Sequence, residues 1–385
     1  MKKENKGITL IALVVTIIVL LILAGISISM LTGKNGILNR AAEAKESSKN
    51  SQIDEMVKIS VMDALASGNG KITEDLLTEA LNKNLGSGNY TLTGNETEGW
   101  IVGANEKKYN ISANGSITEK KQEISDSTWQ EINALAKEIA KDSTITKDTD
   151  TVTKTVNGKN YTATVGDKKT ITIDEKDYTV RILGFNHDTL EDGQTAYGDA
   201  SITKAGISFE FETLLPGAKM NSSSTNSGGW EASLMRTNLN STTAVDGMTN
   251  LSNIETAIGS NIIKSVTKSY IKTYNNASSV TTCNDKLWLL ACSEIWSKGY
   301  QENAYGYAIA SEGAQYKYYA DINATYNSGN SKLYKMYQGS TFASSWWLRS
   351  PNYNYSDGFC TMYSNGSCNY DGVDNTYGVA PGFAI

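Results

Sequence analysis

The chain has 385 residues, with 35 Lys and Arg against 41 Asp and Glu, a formal net charge of -6 and a pI near 5.1. No concentrated basic face stands ready to neutralise phosphate, so this balance excludes a nucleic-acid partner. Only 3 Pro stand beside 33 Gly and 21 Tyr; with abundant Asn, Ser and Thr this is the turn-rich β composition of many secreted adhesive domains, and the length leaves room for a helix plus about two globular parts.

From Ile8 to Gly33 no side chain is charged and Ile, Leu and Val dominate, so about 24 residues of helix can cross a hydrocarbon core of about 30 Å. Lys2, Lys3 and Lys6 hold the tail ahead of it on the cytoplasmic side, which exports the bulk of the chain. Ala24-Gly25 can be read as a signal-peptide cleavage site, but the apolar run continues through Ile26, Ile28, Met30 and Leu31. The basic leader ending in Lys6-Gly7, then Ile8-Thr9-Leu10-Ile11 and an unbroken apolar helix, resembles the N-terminus of type IV pilins and Gram-positive pseudopilins. The resemblance extends to Leu65. It implies a leader at 1–7 cut after Gly7 by a prepilin peptidase, Ile8 as an N-methylated new terminus, and a helix at 8–66 that serves as single-pass membrane anchor and then packs with other pilin subunits. The family usually has Glu where Ala12 stands; a lone carboxylate in apolar surroundings needs a cation, which the resemblance implies is the neighbouring subunit's free amine, and Ala12 has no carboxylate to meet it. That departure points to a minor or tip pilin, or to a pilin-like anchored protein.

Thr32-Gly33-Lys34-Asn35-Gly36 breaks the run, and Ile37, Leu38, Ala41, Ala44, Ile53, Met56, Val57, Ile59, Ser60 and Met62 to Leu65 resume a helical stripe. Ser67-Gly68-Asn69-Gly70 stops it. A helix over Thr73 to Lys83, capped by Thr73, leads into strands at Tyr90-Thr91-Leu92, Trp100-Ile101-Val102 and Tyr109-Asn110-Ile111, giving a small pilin-like β region at 67–118. Trp129, Ile132, Leu135, Ala136 and Ile139 predict a helix from Ser127 to Lys141 with Asp126 or Ser127 as cap. Asp142 to Lys159 reads as a linker or edge strand, so 119–159 is a helix and linker.

Residues 160–385 read as one α+β domain, because strands at Lys169 to Ile173 and Tyr178 to Gly184 precede a helical stretch at Leu251 to Tyr274 and further short strands. Tyr178 to Gly184, Trp230 to Asn240, Leu287-Trp288-Leu289-Leu290 and Trp346-Trp347-Leu348-Arg349-Ser350-Pro351 through Gly378 to Pro381 resemble a domain of uncharacterised function from surface proteins of Firmicutes. That family resembles the C-type-lectin-like fold, although it usually has Arg where Ala380 stands. Trp346, Trp347 and Leu348 are read as core, with Arg349 satisfying backbone carbonyls or a carboxylate. Tyr353, Tyr355, Asp357, Tyr363, Asn369, Tyr370, Asp371, Asp374 and Tyr377 are candidate ligand-binding residues, since Tyr, Asn, Asp and Gly together compose binding paratopes. A second Tyr cluster runs from Tyr300, Tyr305 and Tyr307 through Tyr316, Tyr318 and Tyr319 to Tyr337. The terminal patch also resembles the variable regions of proteins diversified by retroelements.

Cys283, Cys292, Cys360 and Cys368 leave either buried free thiols or one long-range bridge open. Cys283 and Cys292 flank an extended segment, and a two-residue turn at Asn365-Gly366 would pair Tyr363 with Cys368 and Cys360 with Asp371. No catalytic residue emerges: His187 is the only histidine, and neither a Cys-x-x-Cys, a phosphate loop nor a nucleophile elbow occurs. No cofactor is expected, though Asp357, Asp371 and Asp374 could gather around Ca²⁺. The expected function is surface adhesion, with an extracellular glycan or protein as ligand. The alternatives are a minor pseudopilin of a secretion, pilus or DNA-uptake machine and a membrane-anchored glycosidase, whose carboxylate pair needs no local motif.

Overall fold

The structure is a computed structural model and describes residues 37–385, apart from 106, 274–275, 277–278, 297–311, 325–329 and 353. Gly7, Ile8, Ala12, the apolar run, Tyr300, Tyr305, Tyr307 and Tyr353 lie outside the described residues. Among those described, no helix is long and apolar enough to cross a membrane. Helices and mostly antiparallel strands make an α+β chain. It divides into two compact units, one of residues up to Lys121 with 157–160, the other of 122–156 with 161–385.

In the first unit, helix α1 (Ile37–Ser67) is followed by α2 (Glu74–Leu85) and a four-stranded antiparallel meander, β1 (Thr91–Asn95), β2 (Gly99–Ala104), β3 (Lys107–Ile111) and β4 (Ile117–Lys120). Val57, Ser60, Val61 and Ala64 form the buried face of α1, the spacing a helix needs to aim one stripe at a core. They meet Leu77 and Leu81 of α2 and Trp100, Val102 and Tyr109 of the sheet. Thr73 caps α2 by accepting the Leu76 N–H, as its sequence position predicts.

The second unit starts with β5 (Gln122–Glu123) and α3 (Trp129–Lys141). The cap of α3 is Thr128, not Asp126 or Ser127: its hydroxyl accepts the Glu131 N–H while the Glu131 carboxylate accepts the Thr128 N–H. Strands β6 (Thr151–Val156) and β7 (Lys159–Thr164) form a hairpin beside β5, so the Thr-rich stretch holds an edge strand. A five-stranded sheet then has β8 (Lys168–Ile173) at one edge, next to β9 (Lys176–Phe185); β10 (Thr189–Leu190) and the short helix α4 (Gly193–Tyr197) follow in the chain. Strand β11 (Ile207–Phe211) pairs with β9 inside that sheet, and β12 (Thr213–Lys219) crosses to a second sheet. After α5 (Leu234–Leu239) comes α6 (Leu251–Ile258), far shorter than the predicted stretch to Tyr274. Gly259 at φ 108 ends it, and β13 (Val266–Ile271) pairs instead with β14 (Val280–Asp285).

Strand β15 (Leu287–Leu289) is the far edge of the five-stranded sheet; α7 (Cys292–Ile295), α8 (Lys317–Asp321) and β16 (Met336–Tyr337) follow. The chain ends with β17 (Trp346–Pro351), β18 (Gly358–Met362), β19 (Cys368–Gly372), β20 (Thr376–Val379) and β21 (Pro381–Ala384). The second sheet runs in the order β16, β12, β20, β17, β18, β19, so β19 is a free edge, while β21 fills the gap between β15 and β11.

Helix α3, expected within a helix-and-linker segment at 119–159, belongs to the core of the second unit. Trp129, Ile132, Leu135, Ala136 and Ile139 share one buried cluster with Phe209 and Phe383, the two phenyl rings stacked at 5.3 Å and Trp129 edge-on to Phe209 at 5.8 Å. A Cβ on Gly206 would lie 1.9 Å from the Ala136 carbonyl oxygen, so only glycine admits this approach of helix and strand.

Candidate functional site

Strand β17 carries the Trp-Trp-Leu-Arg-Ser-Pro motif, and every residue of it is buried. The Trp347 ring nitrogen donates to the Ala218 carbonyl at 2.8 Å, and its ring meets Tyr377 edge-on at 5.1 Å. Arg349 satisfies both carbonyls and carboxylates: Nη1 donates to Leu289 O at 2.8 Å and to Glu294, Nε to Ser269 O at 3.1 Å, and Nη2 to Glu312 O at 2.6 Å. Lys268 Nζ bridges Glu294 at 2.6 Å and Asp188 at 2.7 Å. Burial opposes ionisation of Asp188, but Lys268 and the hydrogen bond with His187 together outweigh it and hold the carboxyl well below its usual range. Glu312 is the exception, for burial pushes its carboxyl up to about 8 despite the nearby Arg349. His187 stacks on Tyr316 at 4.0 Å within this interior. Two cations and two ionised carboxylates thus compensate one another under β17.

The Trp230 to Asn240 stretch is likewise architectural. Trp230 Nε1 and Arg236 Nε clamp the two oxygens of Asp285 at 2.8 and 2.7 Å, and the Asn240 amide pairs with both the N–H and C=O of Leu287. In the described part of the second Tyr cluster, Tyr316 and Tyr319 are buried, their hydroxyls donating to Asp188 and Glu210. Tyr318 and Tyr337 are half-buried against the same interior.

The terminal hairpin is where the candidate ligand residues meet. Its register pairs Met362 with Cys368 and Cys360 with Tyr370, one residue away from the predicted pairing. The loop is three residues, Ser364-Asn365-Gly366, with Gly366 at φ 76, because Tyr363 rather than Ser364 makes the closing bond to Ser367 O at 2.8 Å. Alternation along β19 then divides the candidates between two faces. On one, Tyr370 stacks on Tyr355 with centroids 4.9 Å apart, and Tyr355 is 49 % exposed. Asp357 is exposed in the same loop. On the other, Asp371 accepts the Tyr377 hydroxyl, the Asn375 amide and a hydrogen bond with Tyr363. Burial and this carboxylate raise both tyrosine hydroxyls above their usual range, so they stay donors. The side chain of Asn369 accepts the Tyr370 N–H at 2.9 Å, and Asp374 is exposed beyond the hairpin. Asp357, Asp371 and Asp374 do not gather into a cation site; among the described residues the one such group of three or more is Cys292, Cys360 and Cys368.

Sequence reading missed Asn226. Its Nδ2 donates to the carbonyls of Tyr355 and Gly358, each at 2.8 Å, and its N–H to Ser356 O at 2.7 Å, which pins the 352–358 loop. Its Oδ1 is buried without a partner. With Thr225, Ser227, Lys272 and Ser356 it lines a cleft of about 240 Å³. The signal in the sequence is thin, a Ser-rich turn ending in Gly228-Gly229 far from the hairpin it serves.

Residues 203–385 match the family model of a domain of unknown function, DUF6273. The DUF6273-like region takes in the Trp230, Leu287 and Trp346 motifs, the Asn226 cleft and the whole hairpin. It leaves out β9, although β9 pairs with β11 inside it. No curated protein and no solved structure matches the chain.

Proposed function

We propose that this is a pilin-like surface protein, anchored or assembled through its N-terminal helix, whose C-type-lectin-like C-terminal unit binds an extracellular glycan or protein at the free edge of the second sheet. The observation that carries this reading is the exposed Tyr355–Tyr370 stack, with a cleft lined by Asn226 and by Ser356, the residue after Tyr355. Stacked aromatic faces offer apolar area at little entropic cost, and Ser, Thr, Asn and Lys side chains lining the cleft supply adaptable hydrogen bonds. The mechanism is adhesion without chemistry; the buried charges under β17 are all committed to one another. Processing after Gly7 and the membrane location rest on the N-terminal resemblance.

The test is to screen the full chain against arrays of glycans and surface proteins, with the N-terminal mass of the native protein measured alongside. Saturable binding and a chain beginning at Ile8 support the reading; no ligand in any class and an intact leader defeat it. A second reading, a minor pseudopilin with a structural head, draws on Met56, Ile59 and Met62, which lie exposed along α1 at helical spacing with Met62 66 % accessible. Loss of filament assembly on substituting these three, with ligand binding intact, would favour it.

A further inference from the structure

Cys292 opens α7, Cys360 lies in β18 and Cys368 begins β19, yet their three sulfurs all lie within 4.8 Å of one another. Cys292 and Cys360 are fully buried and Cys368 is 5 % exposed. All three share one buried hydrophobic cluster with Leu290, Trp296, Leu348, Met362 and Ala380. Thiolates bind a zinc-sized cation at about 2.3 Å, which sets sulfurs about 3.8–4.0 Å apart in a tetrahedral or trigonal set. The observed spacing needs to close by less than about 1 Å to reach that geometry.

A disulfide fits these residues less well. Cys360 faces Tyr370 and Cys368 faces Met362, so the two strand cysteines are diagonal neighbours. Diagonal Cβ atoms are about 7 Å apart, beyond the roughly 4.5 Å that a bridge tolerates. A bridge from Cys292 to either strand would leave the third thiol over, whereas a cation uses all three.

We propose that Cys292, Cys360 and Cys368 form a site for a thiophilic d¹⁰ divalent cation of the zinc class, which ties α7 to the terminal hairpin. Each S–H gives its proton to solvent as its sulfur–metal bond forms, and the loaded site carries one negative charge because three thiolates meet a divalent cation. Ser350 orients Cys292 from outside this set: its hydroxyl oxygen accepts the Cys292 N–H at 3.0 Å and also contacts the sulfur, while the hydroxyl donates to Glu312. The fourth cysteine, Cys283, stands apart, its sulfur on Asp285.

The experiment is a Co²⁺ titration of the full-length protein, purified metal-free and reduced, followed by Zn²⁺ competition. The expected result is one equivalent of Co²⁺ with an intense thiolate-to-cobalt absorption, displaced by Zn²⁺, absent in Cys360→Ser and Cys368→Ser and retained in Cys283→Ser. Elemental analysis and cobalt stoichiometry of the unmutated chain decide the matter should a serine variant fail to fold. The proposal is overturned if no thiolate band forms while four thiols titrate in the denatured protein. It is equally overturned if the unreduced protein lacks two thiols and two hydrogens of mass, as a disulfide requires, or if Cys283→Ser alone abolishes the band.

Discussion

Replacing Arg349 by Met removes a heavily committed buried charge. The guanidinium is fully buried and serves three carbonyls, of Ser269, Leu289 and Glu312, besides the Glu294 carboxylate. Met fills much of the volume, so the loss is dominated by the partners left behind. Breaking one side of a buried ion pair costs about 3–5 kcal/mol, and each stranded buried carbonyl about 1–3 kcal/mol, with the sum not additive. Lys268 still reaches Glu294 at 2.6 Å and softens the first term. A total of about 5 kcal/mol is expected, against a domain stability of about 5–15 kcal/mol. For a unit of this size that lowers Tm by about 10 °C, read by calorimetry with the two units followed separately. Adding Glu294→Gln to Arg349→Met removes the uncompensated charge, so the double variant should lose about 2 kcal/mol less than the sum of the single losses. A single-variant loss below about 1 kcal/mol, or strict additivity, would refute the idea that compensated charge organises this interior.

Three further outcomes follow from the same contacts. Gly206→Ala should destabilise the second unit by about 1–3 kcal/mol in urea, since its Cβ meets the Ala136 carbonyl, and an unchanged midpoint would remove α3 from that core. Consistent with this, a fragment beginning at Gln122 should fold to a sharp cooperative transition and one beginning at Asn160 should not, as judged by circular dichroism. Stability should also fall as pH rises from about 4.5 to about 8, because folded Glu312 keeps its proton up to about 8 and the unfolded carboxyl loses it near 4.5. Lys335, pushed down to about 8 by burial, acts oppositely: the folded state binds fewer protons than the unfolded between about 8 and 10.5, so that group adds stability as pH rises there. Glu312→Gln should flatten the first slope and leave the second, in urea midpoints taken across pH.

Local chemistry made much of the fold legible. Thr73 marked a helix start, strand-like runs marked β1, β2, β3, β8 and β9, and the crowded Trp346, Trp347 and Leu348 read as core and are core. Legibility failed where tertiary context decides between local options. Asn365-Gly366 fits a two-residue or a three-residue loop equally, and the choice shifted every partner on β19 by one. Apolar residues from Leu251 to Tyr274 suit a helix or a strand, and Gly259 divided them. At the candidate site, the Tyr- and Asn-rich composition was visible, but not that β19 would send Tyr370 and Asp371 to opposite faces. Asn226 and the converging sulfurs of Cys292, Cys360 and Cys368 come together only through the paired sheets, and no local spacing announces them.

The most direct measurement is equilibrium binding of a ligand identified by the array screen to the full chain, compared with Tyr355→Ala and Tyr370→Ala, with melting curves for each. Losing one ring of an exposed stack in contact with ligand should weaken binding about 5–30-fold, equivalent to about 1–2 kcal/mol. Tyr355→Ala should do so with Tm nearly unchanged, since half of that side chain is already in solvent. Full affinity in both variants, with folding intact, would contradict the assignment of the ligand to the Tyr355–Tyr370 edge.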